Sequence, residues 1–174
     1  MQWSRVLLES LANQKLDAAI VNLPEGSVPP VSLVSERIGT KPIRVPAAES
    51  ARIKQPATLK ELSAFPWIVH SNACPCRQLL ETALLQRGLP FETAVETEGF
   101  ELQFSLVSNG VGLGLAPLDV FRKSPLHKNL KMIEVKDFSP QLSVWLLHSK
   151  HIGRLAPAVR RLRDAVQQHL QLRT

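Results

Sequence analysis

The sequence has no apolar run near the roughly 20 residues that a transmembrane helix requires. Its N-terminal stretch includes Glu9 and lacks both the long apolar core and the small-residue cleavage site of a secretory signal. No internal repeat and no low-complexity segment occurs. We therefore expect a cytoplasmic globular protein that has no membrane partner.

Motifs typical of enzymes are also missing. The chain contains no Gly-x-Ser-x-Gly elbow, no His-Glu-x-x-His pair and no phosphate-binding loop. The pair Gly112-x-Gly114 lacks the third glycine and the following acid of a nucleotide-binding loop. The histidines after His70 are scattered. The sequence thus predicts a non-enzyme that needs no cofactor.

Signals for direct nucleic-acid binding are weak. The formal charge is +6, but the basic residues are dispersed apart from Arg160, Arg161 and Arg163. Nothing matches a helix-turn-helix, a zinc finger or an RNA-binding strand. The positive charge therefore suggests acidic partners in general, while direct nucleic-acid binding is only weakly supported.

Cysteine is scarce, and its two copies, Cys74 and Cys76, are two positions apart. This spacing is a poor fit to a zinc site, even with His70 nearby, and a disulfide across it would be strained. We expect no metal here. A thiol at a helix start can have a lowered pKa, so a reactive Cys74 stays open.

Residues 66–90 form the most informative stretch. An apolar run at 67–70 predicts a buried strand, residues 71–74 a polar turn, and Pro75 the first position of a helix. The helix ends at Gly88. A strand that turns directly into a helix leaves backbone N–H groups free to bind an anion, and Arg77 adds positive charge. An ordinary strand–helix unit without a ligand fits the same pattern.

Apolar periodicity predicts the remaining elements. An opening helix carries the stripe Trp3, Val6, Leu7 and Leu11. Further helices are expected at 59–64, where Thr58 and Glu61 have capping-box spacing, at 100–108 and at 118–121. Strands are expected at 16–21, 31–38, 42–45, 91–95, 111–117, 130–135 and 142–147. The last helix opens at Pro157 and buries Leu155, Val159, Leu162, Val166 and Leu170.

Strands that alternate with helices indicate an α/β fold with largely parallel sheets. Four segments in this order, LLESLANQKLDAAIV, TLKELSAFPWIV, CPCRQLLETALLQRGLP and LVSNGVGLGLAP, resemble the effector-binding domain of LysR-type transcriptional regulators. The resemblance covers nearly the whole chain. It implies two Rossmann-like lobes arranged like type 2 periplasmic binding proteins. The lobes would be residues 1–44 plus 143–174, with this first lobe truncated, and residues 45–142.

The same resemblance implies a small, anionic effector held in the cleft between the lobes. The turn would contribute Ser71, Asn72, Cys74 and Arg77. Asn22 and Leu23 would face it from a loop after the first strand, and Glu98 and Phe100 would open the next helix. Helix capping by the turn side chains and a core position for Phe100 are the alternatives.

The resemblance also implies partners. Regulators of this kind contact DNA through a helix-turn-helix that this chain does not contain, and the exposed sheet edges of a shortened lobe favour a homo-oligomer. The function indicated is effector sensing that modulates DNA binding by the full-length regulator. The alternatives are a solute-binding protein of the same fold and a truncated dimerisation partner of a full-length regulator.

Overall fold

A computed structural model describes residues 4–171, so Trp3 of the predicted opening stripe lies outside the described residues. The chain divides into two compact units, Met1–Lys41 with Gln141–Thr174 (unit 1) and Pro42–Pro140 (unit 2). The lobe limits of 44/45 and 142/143 stay a prediction. Among residues 4–171, no helix has the length and apolar character to cross a membrane.

Helices and strands alternate along much of the chain. The helices are α1 Ser4–Ala12, α2 Leu59–Leu62, α3 Pro75–Gln86, α4 Phe100–Ser108, α5 Leu118–Lys123 and α6 Ala156–Gln171. The strands are β1 Ala18–Pro24, β2 Val34–Ala48, β3 Trp67–Val69, β4 Thr93–Glu96, β5 Ala116–Pro117, β6 Leu130–Ile133 and β7 Gln141–His148. Short 3₁₀ helices lie at Pro125–Asn129 and Gly153–Leu155.

Unit 1 is a sheet with a helix on each face. Strand β7 lies between β1 and β2, and β1 runs antiparallel to it. One face buries Leu11 of α1 with Val21 and Leu147. The other face buries Val159 of α6 with Val144 and neighbouring apolar residues. Alternation along β7 thus supplies both cores, as period-2 geometry requires.

Unit 2 contains a parallel strand pair. Strands β3 and β4 run parallel, and the end of β2 pairs antiparallel with β5 and β6. Phe104 and Val107 of α4 are fully buried with Ile68 of β3 in the core of this unit. The α4 stripe predicted from the sequence is therefore confirmed at Phe104 and Val107.

The prediction of largely parallel sheets is wrong. Antiparallel pairing joins β1 to β7 and β2 to β5 and β6, whereas β3–β4 is a parallel strand pair. The two strands expected at 31–38 and 42–45 are one strand, β2. Pro42 has no N–H to donate, but it does not break the strand because it lies at the point where β2 passes from unit 1 to unit 2. The next residue resumes the bonding, since the N–H of Ile43 donates to the Pro140 carbonyl.

Two other sequence expectations need correction. Val6, Leu155 and Leu162 keep 41%, 39% and 40% of their surface exposed, so they do not belong to buried stripes. The strand expected at 111–117 contracts to Ala116–Pro117, with a single bridge from Leu113 to Trp67. The close backbone approach expected of its glycines is confirmed, because a Cβ on Gly112 would lie 2.4 Å from the Pro66 carbonyl oxygen.

Candidate ligand-binding site

The candidate site lies in unit 2, where β3 and β4 end. Because the two strands are parallel, their carboxyl ends lie at the same edge of the pair. Strand β3 turns into α3, with Pro75 at the start of the helix as predicted, and β4 leads through Gly99 into α4. Two helix N-termini therefore begin beyond neighbouring strand ends.

The turn 71–74 is closed by backbone bonding rather than by side-chain caps. The N–H of Cys74 donates to the Ser71 carbonyl at 2.9 Å, and the Gln78 amide donates to the Asn72 carbonyl at 3.0 Å. Within residues 4–171, the side chains of Ser71 and Asn72 make no hydrogen bond, and the cap residue of α3 is Cys74. The capping alternative thus does not account for Ser71 and Asn72.

Cys74 and Cys76 are both buried, and within residues 4–171 neither forms a disulfide. Interaction with the Cys76 thiol lowers the pKa of Cys74, as do the N–H groups of Arg77 and Cys76 and the charge of Arg77, while burial opposes the shift. In the described part of the chain, no group of three or more His, Cys, Asp or Glu residues could hold a metal ion. Cys74 therefore occupies the N-cap position of α3, and its thiol loses its proton more readily than a free cysteine does.

Arg77 is committed to protein contacts. Its Nε donates to Glu81 at 2.7 Å, and Nη1 donates to Glu96 and, at 3.0 Å, to the carbonyl of His70. Only 12% of the Arg77 side chain is exposed. The residue thus ties the end of β3 to α3 and β4, which positions the turn, and its charge is balanced by the two carboxylates.

His70 and Thr97 join the two strand ends. Nδ1 of His70 lies 3.2 Å from the Thr97 carbonyl oxygen and 3.3 Å from the Thr97 hydroxyl, so Thr97 offers this nitrogen both an acceptor and a donor. The ring packs edge-on against Phe100 with centroids 4.6 Å apart. Burial lowers the pKa of His70 below its usual value, against the Thr97 hydrogen bond. A neutral imidazole therefore braces the site.

The start of α4 combines an exposed charge with a half-buried ring. Gly99 precedes the helix at φ +89°, a conformation that favours glycine. Glu98 is exposed, and Phe100 is half-buried, contacting both His70 and Phe104. Phe100 thus belongs partly to the core, as the alternative interpretation has it, and partly to the edge of the site.

Two buried polar residues at this edge escaped the sequence interpretation. Thr97 is 4% exposed, and Gln103 is 1% exposed with its amide donating to the Ile68 carbonyl at 2.7 Å. Gln103 follows Phe100 by three positions and precedes Val107 by four, so it lies within the buried stripe of α4. A polar residue within an otherwise apolar helical stripe is the sequence feature that could have indicated a buried polar group here.

Asn22 and Leu23 belong to unit 1, whereas the six other predicted site residues belong to unit 2. Both lie within β1 and not in a loop, paired with Val144 and Ser143, so the loop prediction is wrong. Hydrogen bonds to the Ser4 hydroxyl hold the Asn22 backbone. The strand extends because this ladder continues to Pro24.

The fold is mixed α/β, of the periplasmic-binding-protein-like class. Residues 1–171 match the LysR substrate binding domain family, and the chain belongs to that family. Family members are effector-binding domains of transcriptional regulators, so the α/β fold and family inferred from the sequence are confirmed.

Relatives agree with this assignment. The chain is 24% identical over 162 residues to the uncharacterised HTH-type transcriptional regulator YeiE of Escherichia coli K12. The aligned residues make up 92% of this chain and 54% of that protein. The chain thus spans about half the length of the curated relatives that it matches.

Solved structures show the same fold. The effector binding domain of QuiR in complex with shikimate matches with a TM-score of 0.77 and 17% identity, covering 97% of this chain and 79% of that one. The regulatory domain of Synechocystis PCC6803 CcmR in complex with 2-PG matches with a TM-score of 0.79 and 12% identity, covering 96% and 80%.

Proposed function

We propose that this chain senses a small anionic metabolite and thereby modulates DNA binding by a LysR-type regulator, without catalysing a reaction. The observation that carries the proposal is the pair of helix starts at one strand edge, since neither α3 nor α4 has a side-chain capping hydrogen bond within the described residues. Uncapped N–H groups and the helix dipoles favour a carboxylate or an inorganic anion there.

The side chains that support this assignment are Ser71 and Asn72. Both lie at the turn without an internal hydrogen bond, so a ligand can take up their donors without breaking a protein contact. QuiR, a protein of the same fold, was solved with shikimate, which is a carboxylate. Contributions from Cys74, Arg77, Glu98 and Phe100 remain predictions, as do those of Asn22 and Leu23.

Regulation would follow from differential binding. A ligand shifts a conformational equilibrium only as far as it binds one state better than the other. An effector that orders the turn would therefore change how the regulator sits on its DNA, which the protein contacts through a domain that its relatives carry. Dimerisation is proposed as part of the same mechanism.

A thermal-shift screen tests the site. Small carboxylates, sulfate and phosphate are added to wild-type protein, and a ligand at 100-fold excess over its Kd adds about 2.7 kcal/mol of stability. For a positive compound, Ser71→Ala and Asn72→Ala should each weaken binding roughly 10-fold or more, because hydrogen bonds to charged groups contribute about 1.5–3 kcal/mol. Asn129→Ala is the matched control, since Asn129 is an exposed asparagine of the same unit. Equal weakening in all three variants, or no response to any anion, would contradict the proposal.

A further inference from the structure

Unit 2 also contains a partly open cavity of about 210 Å³ beside β2. Val45 of β2 pairs with Ile133 at the end of β6, and two residues earlier the N–H of Ile43 donates to the Pro140 carbonyl at 2.9 Å. Only Arg44 separates these two attachments on β2, whereas six residues, 134–139, separate them on the other side. The chain must therefore loop outward, and the cavity lies beneath the loop.

Hydrogen bonds hold the loop away from β2. The N–H of Glu134 donates to Gln55 Oε1 at 3.0 Å, and the N–H of Ala57 donates to the Glu134 carbonyl at 2.8 Å. Farther along, a carboxylate oxygen of Asp137 accepts from the N–H of Leu59 at 2.8 Å. Because these partners belong to the segment 55–59, the cavity is formed before any ligand enters, which lowers the cost of binding.

The lining is apolar at the base and charged at the margin. Ile43, Val45 and Ile133 lie beneath the cavity with at most 2% of their surface exposed, and the half-buried Val135 and Phe138 supply the accessible apolar lining on the loop side. The polar lining comes from Arg44, Glu134 and Ser139. This combination of an apolar surface and a few polar groups is typical of small-molecule sites.

Two charged side chains belong to this lining, Arg44 from β2 and Glu134 from the loop. Within residues 4–171, neither side chain takes part in an ion pair, and the Arg44 guanidinium donates one hydrogen bond, to the Ile43 carbonyl at 2.9 Å. Both groups can therefore receive a ligand of complementary charge.

We propose that this cavity binds an apolar α-amino acid, distinct from the anion at the start of α3. Arg44 would hold the carboxylate through its guanidinium fork, Glu134 would accept from the ammonium group, and Val135 and Phe138 would contact the apolar side chain. The volume equals the space of about seven liquid waters and is below the roughly 300–1,000 Å³ of sites for drug-sized molecules. An amino acid suits this space and both charges.

Calorimetric titration tests this site. The ligands are L-leucine and two analogues, 4-methylpentanoate without the ammonium group and 3-methylbutylamine without the carboxylate. Wild-type protein should bind leucine at least 10-fold more tightly than either analogue. Glu134→Gln and Arg44→Gln should each weaken leucine binding at least 10-fold. Glu92→Gln, which neutralises another exposed glutamate of unit 2, should leave it unchanged.

The outcomes separate this site from the anion site. Leucine binding that survives in Asn72→Ala and is lost in Glu134→Gln supports the proposal. Because Glu134 is exposed, its variant is expected to fold, and a sharp thermal transition checks this. The proposal is overturned if leucine gives no heat at low-millimolar concentration. It is also overturned if the Arg44 and Glu134 variants, verified as folded, bind leucine as the wild type does.

Discussion

The two units differ in charge and in strand direction, and the proposed anion site lies in the unit that net charge alone would not select. Unit 1 contains ten Lys and Arg residues against five Asp and Glu, whereas unit 2 contains eleven against ten. Unit 2, close to neutral, holds the parallel pair β3–β4 and the two helix starts that follow it. The proposed site therefore depends on local N–H groups and helix dipoles rather than on the net charge of the unit.

Buried polar groups show the same contrast. In the part of the chain that the structure describes, the buried polar residues of unit 1 are Ser4 and Ser143, while unit 2 buries His70, Thr97 and Gln103 near the strand ends. Buried polar groups require hydrogen bonds, and satisfied networks rigidify their surroundings. These three buried polar residues of unit 2 thus lie near the edge where we propose that a ligand binds. Four comparisons test this difference, each between the stability of a variant in unit 2 and that of a variant in unit 1.

The largest expected effect compares a buried helix residue of unit 2 with an exposed one of unit 1. Phe104→Ala removes a ring with no exposed surface that packs on Phe100 and Phe121, and should lower the free energy of unfolding by about 3–5 kcal/mol. Leu162→Ala should change it by less than about 0.5 kcal/mol, because Leu162 is 40% exposed. Urea unfolding followed by tryptophan fluorescence measures both, with Trp67 reporting on unit 2 and Trp145 on unit 1. A large loss in Leu162→Ala would show that α6 is packed as the sequence predicted.

The next comparison uses one glycine from each unit. In Gly112→Ala the new Cβ would lie 2.4 Å from the Pro66 carbonyl oxygen, which is backbone and also accepts from the N–H of Leu113. We expect a loss of about 1–3 kcal/mol from overpacking. In Gly39→Ala the nearest atom, at 2.6 Å, is the terminal Cδ1 of Leu170, which can rotate away, so the loss should be smaller. Urea unfolding of the two variants gives the comparison, and a larger loss for Gly39→Ala would contradict it.

Sequence periodicity predicted the local elements of unit 2 well. The strand, turn, Pro75 and helix of 66–90 are confirmed, as is the capping box, in which the Thr58 hydroxyl accepts from the Glu61 N–H and the Glu61 carboxylate accepts from the Thr58 N–H. These features depend on residues a few positions apart, so the local sequence is enough to predict them.

Periodicity failed where the outcome depends on distant partners. Leu155 and Leu162 have the right helical phase, but the sheet of unit 1 covers Val159, leaving them exposed. Strand direction follows from which strands meet, so the antiparallel pairs could not be read from the alternation of strands and helices. The roles of Arg77 and Gln103 likewise depend on Glu96 and Ile68, which are 19 and 35 positions away.

The third comparison sets two arginines in ion pairs against each other. Arg77 is 12% exposed and bonds two carboxylates and the His70 carbonyl, so Arg77→Gln should cost about 1–2 kcal/mol of stability, reduced by the exposure of Glu81 and Glu96. Arg163 pairs with Asp164 and Glu36 on the surface, and Arg163→Gln should leave the unfolding midpoint unchanged. Urea unfolding at low and high salt measures both. Strong salt dependence of the Arg77 contribution would mean that this network is solvated rather than part of the site.

The smallest expected effect concerns pH. Burial lowers the pKa of His70 in the folded protein, so the unfolded chain takes up a proton near pH 6.5 before the folded chain does. Stability is therefore complete above about pH 6.5 and falls as the pH drops toward the lower pKa of the folded state, by at most about 1.4 kcal/mol per pH unit. In His70→Asn this part of the slope should disappear, whereas His151→Gln, at an exposed position, should retain it. Urea unfolding from pH 7.5 to 5 measures the slopes. If His70→Asn kept the wild-type slope, His70 would take up its proton as easily in the folded protein as in the unfolded chain. The strand edge of unit 2 would then be as open to water as the surface of unit 1.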